Sequence, residues 1–179
     1  MEHRVVVTGM GAVTPVGNSA TETWDAFIAG KNGIGAITRF DTTDFKVKVA
    51  GEVKDLDCDE RLGCNTRHMD LFVQYALVAA DEAIAQAGLD AEGSCDRDRV
   101  GVYVGSGIGG MKSYTDNVDV MRARGARRVS PFMIPMMIAN MAAGEIAIRQ
   151  KLYGPTLPVV TACATSAHTI GEAFRAIKH

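Results

Sequence analysis

Within ten residues the chain passes from a strand pattern to a helix pattern, in the run Val159-Val160-Thr161-Ala162-Cys163-Ala164-Thr165-Ser166-Ala167-His168. Residues 156–161 predict a buried strand, and the small residues that follow begin a helix. Cys163 stands at the junction, where a helix N-terminus offers a partial positive charge and unpaired N–H groups. Both favour a thiolate, and the N–H groups can hold the oxygen of an acyl group on the sulfur. The run is typical of an acyl-transfer nucleophile, although a free cysteine is also a common small core residue.

Strands and helices alternate along the rest of the chain. Core strands are predicted at 5–8, 99–104 and 156–161, and a half-exposed strand or hairpin arm is predicted at 45–53. One helix begins at a capping box at Ser19 and ends at Gly30, with Trp24, Phe27 and Ile28 directed inward. Further helices are predicted over 69–87, 112–124 and 130–152, and 57–65 is polar and irregular. The alternation indicates an α/β domain with a mostly parallel sheet flanked by helices.

Composition narrows the class of protein. A chain of 179 residues can form one domain with a core, and a net charge of −2 gives no indication of nucleic-acid binding. The four cysteines, Cys58, Cys64, Cys95 and Cys163, have no zinc-ligand spacing, so no metal is expected. No signal peptide precedes the first strand pattern, and no apolar run is long enough to span a membrane. We therefore expect a cytoplasmic protein with reduced thiols, and the uncapped helical pattern at 177–179 suggests a cut chain or a fragment.

A glycine-rich loop follows the strand predicted at 99–104. Gly105, Gly107 and Gly110 fit the spacing G-x-G-x-x-G, which a dinucleotide-binding loop also shows. No acidic residue follows about twenty positions later to bind a ribose hydroxyl. The alternative is a tight crossing where backbone passes close to another segment, with Ile108 projecting into the adjoining space.

Three further predictions concern a methionine-rich helix, a cluster of arginines and one histidine. The helix predicted at 130–152 is rich in methionine and apolar nearly all round, which indicates core packing, a site for a lipid-like chain, or a subunit contact. A basic cluster is either a solvated surface or a site for an acidic or phosphorylated partner; it comprises Arg122, Arg124, Arg127 and Arg128. His168 lies five residues after Cys163 and so off its face of the helix, which predicts a structural histidine rather than a base.

Four segments together carry a resemblance to a known family. They are 5–17 (VVVTGMGAVTPVG), 102–110 (VYVGSGIGG), 129–132 (VSPF) with the methionine-rich helix, and 161–164 (TACA) with 170–175 (IGEAFR). In order and spacing the chain resembles the β-ketoacyl-[acyl-carrier-protein] synthases, the type II condensing enzymes, most closely their synthase II members. The resemblance implies a thiolase-like fold of two similar α/β halves in helix and sheet layers. Residues 1–179 are similar to the first half only, and the second half is absent from this chain.

The resemblance also implies roles for particular residues. Cys163 matches the acyl-accepting nucleophile, and its own backbone N–H matches one donor to the oxyanion. Acyl-pocket positions are matched by Ile108, Met111, Ala162, Met133 and Ile134, the last two reaching the neighbouring subunit of a homodimer. Contacts to acyl carrier protein are matched by Arg127, Arg128 and Arg67.

The implied reaction has two stages and needs no cofactor. An acyl-carrier thioester first acylates Cys163, and malonyl-carrier then decarboxylates and attacks the acyl-enzyme. The family's second half supplies two histidines, a lysine and a gating loop with phenylalanine, none of which is matched here. We therefore expect the intact protein to be a condensing enzyme and residues 1–179 alone to be inactive in condensation.

Three alternatives remain open at this point. A type II polyketide ketosynthase shares the same motifs. A non-catalytic pairing subunit belongs to another class, but such relatives typically lack the cysteine that this chain carries at position 163. A cysteine hydrolase needs a histidine base, for which the chain offers no well-placed candidate.

Overall fold

The computed structural model describes residues 3–179. Within that range lie seven α-helices and one two-stranded antiparallel sheet, with short 3₁₀ turns at 97–99, 126–128 and 162–164. The strands are β1 (Ile34–Ala36) and β2 (Val49–Gly51), paired so that Gly35 lies opposite Ala50. The helices are α1 (Ala20–Ile28), α2 (Cys58–Leu62), α3 (Leu71–Gln86), α4 (Met111–Arg124), α5 (Met133–Met137), α6 (Met141–Gln150) and α7 (Thr165–Lys178).

The core lies where α3 packs against α6 and α2. Val73 and Leu77 on α3 are each 1% exposed, and Ala143 and Ile146 on α6 lie against the same cluster. Small alanines let the helices approach closely, and each buried Val or Leu contributes roughly 1.5–3 kcal/mol by leaving water. The predictions of a helix at 69–87 ending at Gly88 and of a helix at 112–124 are confirmed.

A polar clamp ties the same three helices together. Arg149 on α6 donates from Nε to both carboxylate oxygens of Asp81 on α3, and from Nη2 to the carbonyl of Leu62 at the end of α2. Gln150 Nε2 donates to the same carboxylate at 2.6 Å. The hydrogen bond that Arg149 donates to the Asp81 carboxylate raises the pKa of Arg149 above its ordinary value. The clamp fixes the angle at which α2 and α6 meet the central helix.

The N-terminal apolar run does not form the buried strand predicted at 5–8. Val7 is 81% exposed, and no ladder forms there. The chain that follows binds α3 instead, since Met10 N–H donates to Gln86 Oε1 at 2.6 Å and Ala12 N–H donates to Glu82 Oε2 at 3.0 Å. These contacts hold the chain against α3 from Met10 onward, whereas residues 5–8 have no strand pairing, and the strand prediction is wrong.

The other two predicted core strands meet at a single parallel pairing. Val102 N–H donates to Pro155 O at 2.9 Å, and Leu157 N–H donates to Val102 O at 3.0 Å, which pairs Val102 with Thr156. Residues 97–99 form a 3₁₀ turn rather than the start of a strand. A larger parallel sheet stays a prediction, whereas the half-exposed strand or hairpin arm predicted at 45–53 is confirmed for residues 49–51, where β2 pairs with β1.

Helix α1 is confirmed, but its predicted orientation is wrong. Ser19 caps it by accepting from Glu22 N–H, as the capping box predicts, and Gly30 ends it with φ of 64°. The large side chains Trp24, Phe27 and Ile28 are exposed, and the small Thr23 and Ala26 are buried. Two contacts set this face, since Thr23 hydroxyl meets Thr14 hydroxyl at 3.0 Å and Ala20 N–H donates to Glu82 of α3.

Two further predictions are corrected. Segment 57–65, predicted as irregular, contains α2, which Asp57 caps and Gly63 ends in the left-handed conformation. The single helix predicted over 130–152 is broken into α5 and α6 at Ile138, whose ψ is 137°. At that break Met137 O accepts a hydrogen bond from Gly110 N–H at 2.8 Å, so a distant loop takes the bond that a continuing helix would make.

The described residues expose a large area. Their accessible surface is 11,991 Å², whereas a compact monomer of 19.1 kDa exposes about 8,400 Å². One exposed apolar stripe runs along α7 at Ile170, Phe174 and Ile177, and another lies on α1. Monomeric proteins rarely leave such faces uncovered.

A buried carboxylate joins α3 to α4 and gives a first testable prediction. Asp70, which precedes α3, accepts from Ser113 N–H at 2.9 Å and from Ser113 hydroxyl at 2.6 Å, and so caps α4 from a distance. We expect Asp70→Ala to lower the free energy of unfolding by about 2–3 kcal/mol, because it leaves a buried N–H and hydroxyl unpaired. Urea unfolding of the natural polypeptide measures this loss.

The matched control for Asp70 is an exposed aspartate on the capped helix. Asp116 pairs with Lys112 on α4 at 2.6 Å, and both side chains are 58% exposed. We expect Asp116→Ala to cost no more than about 0.5 kcal/mol. Equal losses for the two variants would show that the Asp70 contact is not a buried cap.

Candidate active site

A tight turn carries Cys163 into α7. Residues 162–164 form a 3₁₀ turn directly before Thr165, the first residue of the helix. Thr161 N–H donates to Thr165 Oγ1 at 2.9 Å, and Ala164 N–H donates to Thr161 O at 3.1 Å. The turn is therefore closed on itself by the two threonines that flank the cysteine.

The backbone beside the cysteine is strained. Ala162 has φ of 49°, a left-handed conformation that costs an alanine roughly 1–2 kcal/mol. Such residues persist where the surrounding contacts hold them, and they cluster at functional sites. Here the strain turns the chain sharply from the segment at 156–161 into α7, so that Cys163 lies at the outside of the bend.

Cys163 is exposed and its backbone donor is free. The side chain is open to solvent, so the alternative of a buried core thiol is wrong. Within residues 3–179 the Cys163 N–H has no hydrogen-bond acceptor, because the turn uses the N–H groups of the residues after it. An exposed thiol beside an unpaired N–H is the arrangement that an acyl-accepting cysteine needs.

His168 contacts the turn rather than the thiol. Its Nδ1 lies 2.7 Å from Thr161 Oγ1, and over the part of the chain that the structure describes Cys163 Sγ has no hydrogen-bond partner. This agrees with the prediction that His168 is structural. Sequence reasoning missed Thr161 and Thr165, although a threonine on each side of an Ala-Cys-Ala run at a helix start is a recognisable capping signal.

The glycine-rich loop is a tight crossing, as one of the two interpretations predicts. A Cβ on Gly105 would collide with Val159 O and lie 2.6 Å from Thr165 Cγ2, so the loop rests directly on the strand and helix that flank Cys163. The α4 N-terminus after the loop is occupied by the Asp70 carboxylate. That charge would repel a pyrophosphate, and the dinucleotide interpretation has no support.

The loop brings the predicted pocket residues to one region. Gly107 faces Ala162, and Gly110 N–H binds Met137 at the end of α5, so the loop lies between the cysteine turn and α5. Ile108 is 74% exposed, and the same region is completed by Met111, Ala162, Met133 and Ile134, of which only Met133 is partly buried. The loop that carries Ile108 thus lies against Ala162, next to Cys163 in the chain, and against the end of the helix that begins at Met133. The role of the five residues in an acyl pocket stays a prediction.

The predicted carrier-binding arginines belong to two segments of the chain. Arg127 and Arg128 are exposed in the 3₁₀ turn that follows α4. Arg67 Nε donates to His68 Nε2 at 3.0 Å, and the His68 ring stacks on Phe132 with centroids 4.0 Å apart. Arg67 is thus linked through His68 to Phe132, which lies four residues after Arg128 in the sequence, and the role of the three arginines in carrier binding stays a prediction.

The other cysteines differ from Cys163 in surroundings. Cys58 is buried at the start of α2, and burial, with the nearby Asp57 and Asp59, raises the pKa of its thiol. Cys64 is exposed but lies 3.9 Å from the Arg149 guanidinium, which also binds Asp81.

Among residues 3–179 there is no cluster of three or more His, Cys, Asp or Glu side chains placed to hold a metal ion. In the same range no helix has the length and apolar character to cross a membrane.

Fold and site together describe an α/β protein whose candidate centre is an exposed cysteine at the start of a helix. The chain belongs to the β-ketoacyl synthase family, whose N-terminal domain model matches residues 2–179. This confirms the resemblance drawn from the sequence motifs.

Named relatives agree with the family assignment. The chain is 46% identical over 98% of its length to 3-oxoacyl-[acyl-carrier-protein] synthase 2 of Staphylococcus aureus (strain N315), and 44% identical over 99% to the protein of that name from Coxiella burnetii. It covers only 42% and 43% of those two proteins, so it spans less than half their length.

Solved structures show the same fold. A β-ketoacyl synthase from Burkholderia phymatum STM815 matches with a TM-score of 0.81 and 27% identity, covering 99% of this chain and 44% of that one. A type II polyketide ketosynthase, solved with its acyl-carrier protein and bound to a hexaketide, matches with a TM-score of 0.73 and 26% identity, covering 99% and 48%.

Proposed function

We propose that this chain carries the nucleophile of a fatty-acid condensing enzyme, a β-ketoacyl-[acyl-carrier-protein] synthase. The observation that carries the proposal is the exposed Cys163 with an unpaired backbone N–H at a strained helix start. The 44–46% identity to proteins named 3-oxoacyl-[acyl-carrier-protein] synthase 2 supports the same activity.

The first stage takes place on this chain. The Cys163 thiolate attacks the carbonyl of an acyl-carrier thioester, and the Cys163 N–H donates to the oxyanion that forms. The bond from carbon to the carrier's sulfur then breaks, and the carrier leaves as a thiol after taking a proton. The acyl chain lies along the apolar surface formed by Ile108, Met111, Ala162, Met133 and Ile134.

The second stage needs groups outside this chain's described site. Malonyl-carrier loses carbon dioxide, and the carbon that keeps the electron pair attacks the acyl carbonyl, so that the Cys163 sulfur leaves as a thiolate. Histidines must stabilise the enolate oxygen in that step. His168 is bonded to Thr161 and is not aimed at the thiol, so these histidines come from a second half of the protein.

The proposed assembly has two levels. Residues 1–179 form the first of two α/β halves, whose mostly parallel sheet is extended beyond the single pairing of Val102 with Thr156. The exposed apolar stripes on α1 and α7 support this proposal, because the described residues alone leave them uncovered. A homodimer brings Met133 and Ile134 of one subunit to the acyl pocket of the other. Cytoplasmic location remains part of the proposal, and cell fractionation tests it.

Acyl carrier protein is the proposed partner. The exposed Arg127 and Arg128, together with Arg67, which is linked through His68 to nearby Phe132, would supply the positive charge that an acidic protein binds. The solved polyketide ketosynthase of similar fold is in complex with its acyl-carrier protein, which supports the same kind of partner here.

Fatty-acid elongation is favoured over the alternatives. The relatives at 44–46% identity bear the synthase 2 name, whereas the solved type II polyketide ketosynthase is 26% identical. A non-catalytic pairing subunit remains the candidate of another class, and the exposed Cys163 disfavours it.

A condensation assay tests the proposed function. We expect the natural polypeptide to form a 3-oxoacyl-carrier product from octanoyl-carrier and malonyl-carrier, and residues 1–179 alone to form none, since His168 contacts Thr161 and no histidine within residues 3–179 hydrogen-bonds to the Cys163 sulfur. Product chain length, measured by mass spectrometry, separates one round of elongation from polyketide formation. Turnover by residues 1–179 alone would contradict the requirement for a second half.

A further inference from the structure

We propose that Thr161 and His168 form a positioning pair that holds the Cys163 backbone N–H in place for acyl transfer. The inference rests on the proposed function of Cys163 and goes beyond it, because it assigns a role to a histidine that is neither base nor ligand. It is carried by the 2.7 Å contact between Thr161 Oγ1 and His168 Nδ1.

Thr161 is fixed at all three of its polar atoms. Its N–H donates to Thr165 Oγ1 at 2.9 Å, and its carbonyl accepts from Ala164 N–H at 3.1 Å. The third contact, from its hydroxyl, is the one to His168 in the next turn of α7. One of these contacts closes the turn on itself, one reaches Thr165 at the first residue of α7, and the third reaches His168 further along the helix.

The turn needs such contacts because its backbone is unfavourable. Thr161 has φ of −138° and ψ of 42°, and Ala162 follows with φ of 49°. An alanine leaves the left-handed conformation readily unless its neighbours prevent it. A change at Ala162 would rotate the next peptide group, whose N–H is the unpaired donor of Cys163.

Burial distinguishes the role of Thr165 from that of the contact between Thr161 and His168. Thr165 is buried, and its side chain packs against the glycine loop at Gly105, so it holds the fold as well as the turn. Thr161 and His168 are exposed, and their contact can be removed without opening the core. An effect of their loss on acyl transfer would therefore arise from the orientation of the donor.

Acylation and alkylation of the same sulfur distinguish this role from a general structural one. Attack on a thioester forms an oxyanion that the N–H must meet, whereas alkylation by iodoacetamide forms none. We expect Thr161→Val, which keeps the shape of the side chain, to slow acylation by octanoyl-carrier about tenfold to a hundredfold. We expect its rate of alkylation at Cys163 to change less than about twofold.

Further variants test whether Thr161 and His168 act through the same contact. His168→Phe should slow acylation like Thr161→Val, and the double variant should be no slower than the slower single variant, since both remove one contact. Thr161→Ser keeps the hydroxyl and His168→Asn keeps a polar group near the position of Nδ1, so both should restore most of the acylation rate. The saturating acylation rate should fall while the carrier concentration at half-maximal rate is unchanged, because the carrier surface is untouched.

The possible results of these assays distinguish the positioning pair from a general structural role and from failure of the proposed function. Slow acylation with unchanged alkylation in Thr161→Val and His168→Phe supports the positioning pair. Normal acylation in both variants overturns it and leaves the proposed function intact. Equal slowing of both reactions also overturns it, because a general loss of structure explains that result. Failure of the unmodified protein to be acylated at Cys163 overturns the positioning pair and the proposed function together.

Discussion

Replacing Cys163 by alanine is expected to lower the rate of condensation by at least about a thousandfold, because no other group can carry the acyl chain between the two stages. The side chain is exposed, so its loss leaves the fold unchanged. Condensation is measured as the 3-oxoacyl product formed from octanoyl-carrier and malonyl-carrier by the natural polypeptide. Cys163→Ser should be nearly as inactive, since a serine hydroxyl is not ionised near neutral pH and is a far weaker nucleophile than a cysteine thiolate.

The matched control is the other fully exposed cysteine, Cys64, which has no contact with the Cys163 turn among the hydrogen bonds of residues 3–179. Cys64 is a free thiol next to Arg149, far along the chain from the glycine loop. Cys64→Ala should retain condensation within about twofold, because surface substitutions away from a site have small effects. Retained activity in Cys163→Ala, or equal losses in the two variants, would exclude Cys163 as the nucleophile.

Gly105→Ala is expected to have the largest effect on stability. The added methyl group would collide with Val159 O and lie 2.6 Å from Thr165 Cγ2, and both belong to the segments that hold the cysteine turn. A backbone carbonyl cannot move aside like the end of a long side chain. We expect a loss of about 3 kcal/mol or more in the free energy of unfolding, measured by urea denaturation.

The control for Gly105 is a glycine inside a helix with open space around it. Gly144 lies within α6, and a Cβ there meets nothing within 4 Å. Gly144→Ala should stabilise the protein by about 0.5–1 kcal/mol, because alanine is the better helix former. If Gly105→Ala were as stable as the unmodified protein, the close crossing of loop and strand would be wrong.

Short sequence patterns were sufficient to predict the elements that position the candidate site. A strand pattern followed by small residues predicts the turn at Cys163, and glycines in sequence predict the crossing at Gly105. Capping residues predict where α1 begins and Gly88 predicts where α3 ends. Each of these features depends on a few neighbouring residues, which is why a single sequence contains the information.

Features set by distant contacts could not be predicted in this way. The break at Ile138 contains no glycine or proline, and it arises because Gly110 N–H takes the carbonyl of Met137. The apolar face of α1 was expected to be buried, but Glu82 and Thr14 hold the small face against the core instead. An amphipathic pattern shows that a face needs a partner and does not show which part of the protein supplies it.

The residues of the candidate site also fall into two groups, those that the sequence predicts and those that only the structure reveals. Sequence motifs predict Cys163 as the nucleophile and, by resemblance, predict the apolar pocket residues and the carrier-binding arginines. The positions of Thr161 and His168 around the turn come from the structure, because a hydrogen bond between a turn and the following helix leaves only a weak pattern in sequence.

The most direct measurement is the mass of the natural polypeptide after incubation with octanoyl-[acyl carrier protein], followed by peptide mapping. The account predicts one octanoyl group per chain, attached as a thioester to the peptide that contains Cys163 and removed by hydroxylamine. No octanoyl adduct, or an adduct distributed equally over Cys64 and Cys95, would contradict it.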